Sequence, residues 1–167
     1  MVKRISILIL MAAMLTGCIM DDVQEKENAV KIGDQIPNFT AFMNNGTTVT
    51  GKELSSGVAC IMFFHTSCKD CRETLPQMQE VYNAYHPKGV KFAIISREES
   101  SATISAFWEE KGLTMPWSAQ TDREIYSLFA NSIIPRIYIS KEGRITALFT
   151  DSPTPTAAGI NNAIDAL

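Results

Sequence analysis

The sequence predicts an α/β fold: a mixed β-sheet flanked by helices, with a β-hairpin ahead of it and one inserted helix. Three observations predict it. The continuous apolar run Val58 to Phe64 has the length and branched or aromatic character of a strand buried on both faces of a sheet, and Val90 to Ile95 reads as a second buried strand. Between them Leu75, Met78, Val81, Tyr82 and Tyr85 recur at helical spacing. Farther on, Arg136 to Ser140 and Arg144 to Phe149 flank the turn Lys141-Glu142-Gly143, and residues 153–167 supply a closing helix. The resulting order is β-hairpin, β-α-β-α-(α)-β-β-α, with no internal repeat and no low-complexity tract.

A chain of 167 residues, 46% hydrophobic, is long enough for one domain with a real core. Its formal net charge of −3 is spread along the chain, and no basic cluster points to nucleic acid. The first 17 residues read as a leader. Lys3 and Arg4 precede the almost wholly apolar stretch Ile5 to Leu15, the length of a signal-peptide core and too short to span a bilayer. Leu15-Thr16-Gly17-Cys18 then resembles the bacterial lipobox, which implies cleavage before Cys18 and diacylation of its thiol. An ordinary secretory leader or an uncleaved anchor are the alternatives. Loss of residues 1–17 leaves 13 basic and 18 acidic residues, a net charge of −5. Residues 18–31 are predicted as a polar, flexible tether, and 32–167 as the domain. Asp21-Asp22 reads either as solvated tether or as a sorting mark for the outer membrane or cell surface.

Ile32 to Phe39 enters the domain extended, interrupted by Pro37. Thr40 to Phe42 and Thr47 to Thr50 flank Asn44-Asn45-Gly46, whose Asn-Gly pair predicts a two-residue hairpin turn. Gly51 to Ser56 reads as a short helical turn. A helix starts near Lys69, where Pro76 removes an amide donor and is expected to kink it, and ends at Pro87-Lys88-Gly89. Ser100 or Ser101 caps a helix carrying Ile104, Phe107 and Trp108. Asp122 is placed at the cap of a shorter helix bearing Ile125, Leu128 and Phe129.

Chemistry concentrates where the first buried strand ends. Cys68 and Cys71 enclose only Lys69-Asp70 and open the helix. A thiol there meets unpaired backbone N–H groups and the positive end of the helix dipole, which favour the reactive thiolate. Of the four cysteines, Cys18 is assigned to lipid by the lipobox resemblance and Cys60 lies mid-strand, where a free Cys is usually a small buried hydrophobe. Lys69 favours the thiolate and Asp70 opposes it. His65 is either a nearby base or cation for Cys68 or a plain turn histidine.

The run Phe63-Phe64-His65-Thr66-Ser67-Cys68-Lys69-Asp70-Cys71-Arg72-Glu73-Thr74-Leu75-Pro76 resembles the thioredoxin active-site segment, with Pro76 at the matching offset. Ile134-Pro135, just before the last two strands, matches that family's cis-Pro in position. Gly33-Asp34, Pro37, Phe39 and the extra helix at 101–112 resemble exported TlpA/ResA-type thiol-disulfide oxidoreductases. The resemblance covers about residues 32–167 and implies a thioredoxin fold. It also implies Cys68 as nucleophile, Cys71 as resolving thiol, Pro135 as a cis platform against the pair, and the Ile134 backbone pairing with an extended substrate. Further implications are protein disulfides as substrates, a membrane thiol-disulfide electron donor, no organic cofactor or metal, and a periplasm-facing or surface lipoprotein in cell redox homeostasis.

The departures are specific. Ser67 stands where thioredoxins carry Trp, and Met62 where they bury an acid. The ResA-like acid three residues after the second Cys is Thr74 here. Glu73 is displaced by one position, about 100 degrees around the helix, and reads either as a substitute or as a solvated first-turn acid. Peroxiredoxins share the fold but need Thr and an upstream Pro where this chain has His65 and Ile61. A binding or metal-handling lipoprotein, with Cys68 and Cys71 as structural or ligand thiols beside His65, His86 and Cys60, is the other alternative.

Overall fold

A computed structural model of the chain describes residues 28–167. The leader 1–17, the lipidation candidate Cys18 and most of the tether lie outside those residues. The packed domain reaches back past the expected boundary at 32. Val30 is buried and donates its N–H to the Phe129 carbonyl at 3.0 Å, because its side chain fills space beside the core that a polar residue would leave open.

Strands β1 (Thr40–Phe42) and β2 (Thr48–Thr50) form the antiparallel hairpin, with Phe42 opposite Thr48. The connection is the five residues 43–47 rather than a two-residue turn. Asn45 spends its side-chain oxygen on the Thr47 N–H at 3.1 Å, and Gly46 at φ 81° returns its own N–H to Met43. Helix α1 (Gly51–Leu54) follows, closed by a capping box between Thr50 and Glu53.

The main sheet has the order β4-β3-β5-β6. Its centre is β3 (Val58–Phe64), parallel to β4 (Lys91–Ser96) and antiparallel to β5 (Arg136–Lys141), which pairs antiparallel with β6 (Arg144–Phe149). The two-residue turn Glu142-Gly143 has φ 49° and 77°, the left-handed pair a tight hairpin of this twist requires. Six of the seven β3 residues are buried, as its unbroken apolar run demands.

Helix α2 (Lys69–Tyr85) carries the chain from β3 back to β4 and runs through Pro76 without ending. It covers the sheet face of Cys60, Met62 and Phe64, where Cys60 Sγ meets Met78 Sδ at 3.8 Å. Helix α3 (Ser101–Lys111), capped by Ser100 and terminated by Gly112 at φ 63°, lays Trp108 against Phe64 at 5.2 Å between centroids. On the opposite face Phe63 packs among Tyr126, Phe129 and Tyr138.

Two ends differ from expectation. Helix α4 is one turn, Glu124–Ser127, and Asp122 accepts the Glu124 N–H at 2.9 Å one place ahead of the cap position held by Arg123. Ile125 and Phe129 are buried, but Leu128 is 43% exposed. The last helix, α5 (Ala157–Asp165), begins four residues later than predicted, because Pro153 and Pro155 push the residues before them out of the helical region. Thr156 caps it through the Gly159 N–H.

Candidate active site

The Cys68–Cys71 pair stands where β3 gives way to α2. Cys68 occupies the N-cap of α2 in extended conformation, and its Sγ accepts the Cys71 N–H at 3.3 Å. A cap residue must offer an acceptor to the free amides of the first turn, and here sulfur serves. Cys68 is partly exposed, whereas Cys71 lies fully buried one turn in, and both are free thiols. Burial pushes the Cys71 thiol far above its ordinary range; the Cys68 sulfur raises it further, and the His65 backbone amide and Arg97 pull the other way. Burial alone does the same to Cys60.

The peptide between Ile134 and Pro135 is cis, and the Ile134 carbonyl accepts from the Cys68 thiol at 3.6 Å. The loop carrying it is held from below. Ile133 O accepts the Tyr126 hydroxyl at 2.9 Å and Arg136 Nε at 3.3 Å, and Arg136 is wholly buried. Neither Tyr126 nor Arg136 was singled out by sequence, since a Tyr in a short helix and an Arg beginning a strand carry no chemical pattern.

The other candidates separate. Lys69 and Glu73 are exposed and face each other at 3.9 Å, an i,i+4 pair on the helix surface. Thr74 is buried and its hydroxyl donates to the Asp70 carbonyl at 2.7 Å, so the place of the expected acid holds a satisfied hydroxyl. Met62 is likewise buried. His65 is close to the pair: its Nδ1 accepts the Ser67 N–H at 3.1 Å and sits 3.7 Å from Glu99 Oε1.

Glu99 is the site residue that sequence reasoning missed. Its side chain is 4% exposed. Oε2 accepts the Thr66 N–H at 2.9 Å, and Oε1 accepts the Thr66 hydroxyl. A usable signal existed: Glu99 follows the C-terminal end of β4, beside the C-terminal end of β3, the edge where parallel strands gather their sites. Among the described residues no group of three or more His, Cys, Asp or Glu side chains is placed to hold a metal ion. No helix among them is long and apolar enough to cross a membrane.

This geometry can carry thiol–disulfide exchange: an accessible sulfur at a helix start, a second thiol one turn behind it, and a backbone carbonyl beside the first. Comparisons with known proteins agree with that chemistry. The model of the AhpC/TSA family matches residues 32–148. The thiol-disulfide oxidoreductase ResA of Bacillus subtilis is 24% identical over 152 residues, covering 90% of this chain and 85% of that one. Among solved structures, that of a candidate protein disulfide isomerase from Bacteroides thetaiotaomicron superposes with a TM-score of 0.74 at 23% identity, covering 84% of this chain and 89% of that one. The thioredoxin domain of a Bacteroides vulgatus thiol-disulfide oxidoreductase gives 0.67 at 20% identity, over 82% and 97%.

Proposed function

This chain belongs to the AhpC/TSA family, and from that premise we propose that it is a protein thiol-disulfide oxidoreductase that cycles Cys68 and Cys71 between dithiol and disulfide. One observation carries the assignment of roles: Cys68 is the accessible N-cap sulfur, and Cys71 is the buried thiol whose N–H points at it. Cys68 attacks a substrate disulfide and forms a mixed disulfide, releasing one substrate thiolate. Cys71 then attacks Cys68 Sγ and releases the second, so the substrate gains two electrons and the pair becomes a disulfide. The Ile134 backbone beside Cys68 suits strand-like pairing with an extended peptide. Peroxide reduction has less support, since His65 and Ile61 occupy the positions where peroxiredoxins need Thr and Pro.

The favoured direction is reduction of protein disulfides, fed by a membrane thiol-disulfide donor. Lys69 and Asp70 partly cancel, and neither resembles the His that makes strongly oxidising relatives acidic at the nucleophile. The leader and Cys18 support export and anchoring through a lipid, periplasm-facing or at the cell surface. The mass of the mature N-terminal residue tests that anchor, and an unmodified Cys18 would refute it.

The test of the exchange chemistry has two arms. Cys68→Ser is expected to abolish insulin-disulfide reduction, while Cys71→Ser accumulates mixed disulfides visible on non-reducing gels. Undiminished turnover by Cys68→Ser would overturn the assignment. A reduction potential between about −270 and −230 mV against glutathione supports a reductase, and one near about −120 mV an oxidant.

A further inference from the structure

We propose that Glu99 is a positioning residue for the redox pair: its buried carboxylate clamps the Thr66 turn that sets Cys68 and Cys71 against each other. The inference rests on the thiol–disulfide reading above and assigns it a part for which neither the motif nor its expected acid positions account.

The turn between β3 and α2 is fixed at few points. Cys68 donates its N–H to the His65 carbonyl at 3.1 Å, which closes residues 65–68 into a turn with Thr66 near its apex. Glu99 takes both donors that Thr66 offers, the backbone N–H at 2.9 Å and the hydroxyl. From the helix side, Arg72 Nη1 donates to the Thr66 carbonyl at 3.3 Å. Every polar atom of Thr66 is therefore engaged, and the two strongest contacts come from one carboxylate.

That carboxylate is itself well held. The Glu99 N–H donates to Gln120 O at 2.7 Å, and Ser100, the next residue, caps α3. The clamp thus ties the redox turn to the loop between β4 and α3, an element that contributes no thiol. Hydrogen bonds to a charged acceptor are stronger than neutral ones, and they gain further where water is excluded. A carboxyl side chain only 4% exposed costs desolvation, which a function in holding the turn would justify.

The consequence lies in the second chemical step. First attack by Cys68 is bimolecular and needs an accessible thiolate, whichever way Cys71 is aligned. Resolution by Cys71 is intramolecular, and its rate follows how well the two sulfurs are aligned. Loosening the Thr66 turn therefore slows resolution far more than first attack. It also weakens the internal disulfide relative to glutathione.

Ellman's reagent separates the steps. Cys68 thiolate attacks it, forms a Cys68–thionitrobenzoate mixed disulfide and releases one thionitrobenzoate. Cys71 thiolate attacks Cys68 Sγ and releases the second. The dithiol loses two electrons, the reagent gains two, and both protons pass to solvent. Stopped-flow absorbance on the reduced protein follows both releases.

Glu99→Gln, which keeps the shape and removes the charge and one acceptor, is expected to slow the second release at least tenfold while changing the first by less than about twofold. The equilibrium constant with glutathione is expected to fall in parallel, tenfold corresponding to about 30 mV for a two-electron couple. Thr66→Val, which removes only the hydroxyl donor, should give a smaller slowing of the same step and keeps the test alive if Glu99→Gln fails to fold. Folded variants with both releases at the original rates, or with both slowed equally, would overturn the proposal. A parent protein that never releases the second thionitrobenzoate would instead overturn the exchange reading on which it rests.

Discussion

The three thiols of the domain share a chain but not an environment. Cys68 sits at a helix start within reach of solvent, while Cys60 and Cys71 are buried, and burial drives both of their thiols up. This has a signed consequence for stability. An unfolded thiol ionises near about pH 8.5, and the buried ones stay protonated above that. There the unfolded chain binds fewer protons than the folded one, so stability is complete below about pH 8.5 and falls as pH rises beyond it. Each thiol contributes at most about 1.4 kcal/mol per pH unit. Urea midpoints of the reduced protein are therefore expected to drop between pH 8.5 and 10. The drop should be shallower once Cys71 is locked in a disulfide, leaving Cys60 as the one buried thiol to titrate beside the raised Tyr82 and Tyr85 hydroxyls. Equal slopes for both redox forms would show that Cys71 does not stay protonated in the fold.

At the scale of elements, the contacts that organise the site are connections more than strands. The Thr66 turn, the β4–α3 loop with Glu99 and the 133–135 segment held by Tyr126 converge on one edge of the sheet. The entry segment is fixed as tightly. Gly51 opens α1 with its N–H on Phe39 O at 3.0 Å, and a methyl group there would lie 2.1 Å from the Pro37 carbonyl oxygen. Gly51→Ala is thus expected to destabilise the protein by about 1–3 kcal/mol, seen as a lower melting temperature, although alanine favours helices elsewhere. An unchanged melting temperature would mean that the Pro37–Phe39 segment moves aside without cost. Such elements were legible in part. The Asn45-Gly46 pair marked the hairpin, but the loop length depended on Asn45 bonding Thr47, a choice that the dipeptide does not encode.

Across the whole molecule, one residue joins the central strand to the far face of the sheet. Phe63 is fully buried, with ring centroids at 4.9 Å from Phe129 and 5.4 Å from Tyr126. Tyr126 in turn holds the Ile133 carbonyl, so this aromatic cluster supports the loop over the thiols. Phe63→Ala is expected to cost about 3–5 kcal/mol in chemical denaturation, since the rings around it cannot collapse into the space. A loss below about 1 kcal/mol would mean that the cluster repacks freely. On the other face, α2 and α5 are tied where the Tyr85 hydroxyl donates to Asp165 at 2.7 Å.

The sequence by itself determined the element order, the buried centre of the sheet, the placement of Cys68 and Cys71 at a helix start and the resemblance that named their chemistry. Those are local properties: hydrophobic period, cap and turn residues, and spacing of two residues between thiols. Only the tertiary structure decided what surrounds the pair. Glu99 stands 28 residues beyond Cys71 in the chain, Ile134 far beyond that, and Val30 well ahead, yet each meets its partner because parallel and antiparallel strands bring distant loops to one edge. The same logic turned Glu73 outward to Lys69 and left Thr74 inward with its hydroxyl already bonded. A buried carboxylate is visible in a sequence only as one acid among many. Its meaning comes from the donors packed around it, and those are fixed when the chain closes on itself.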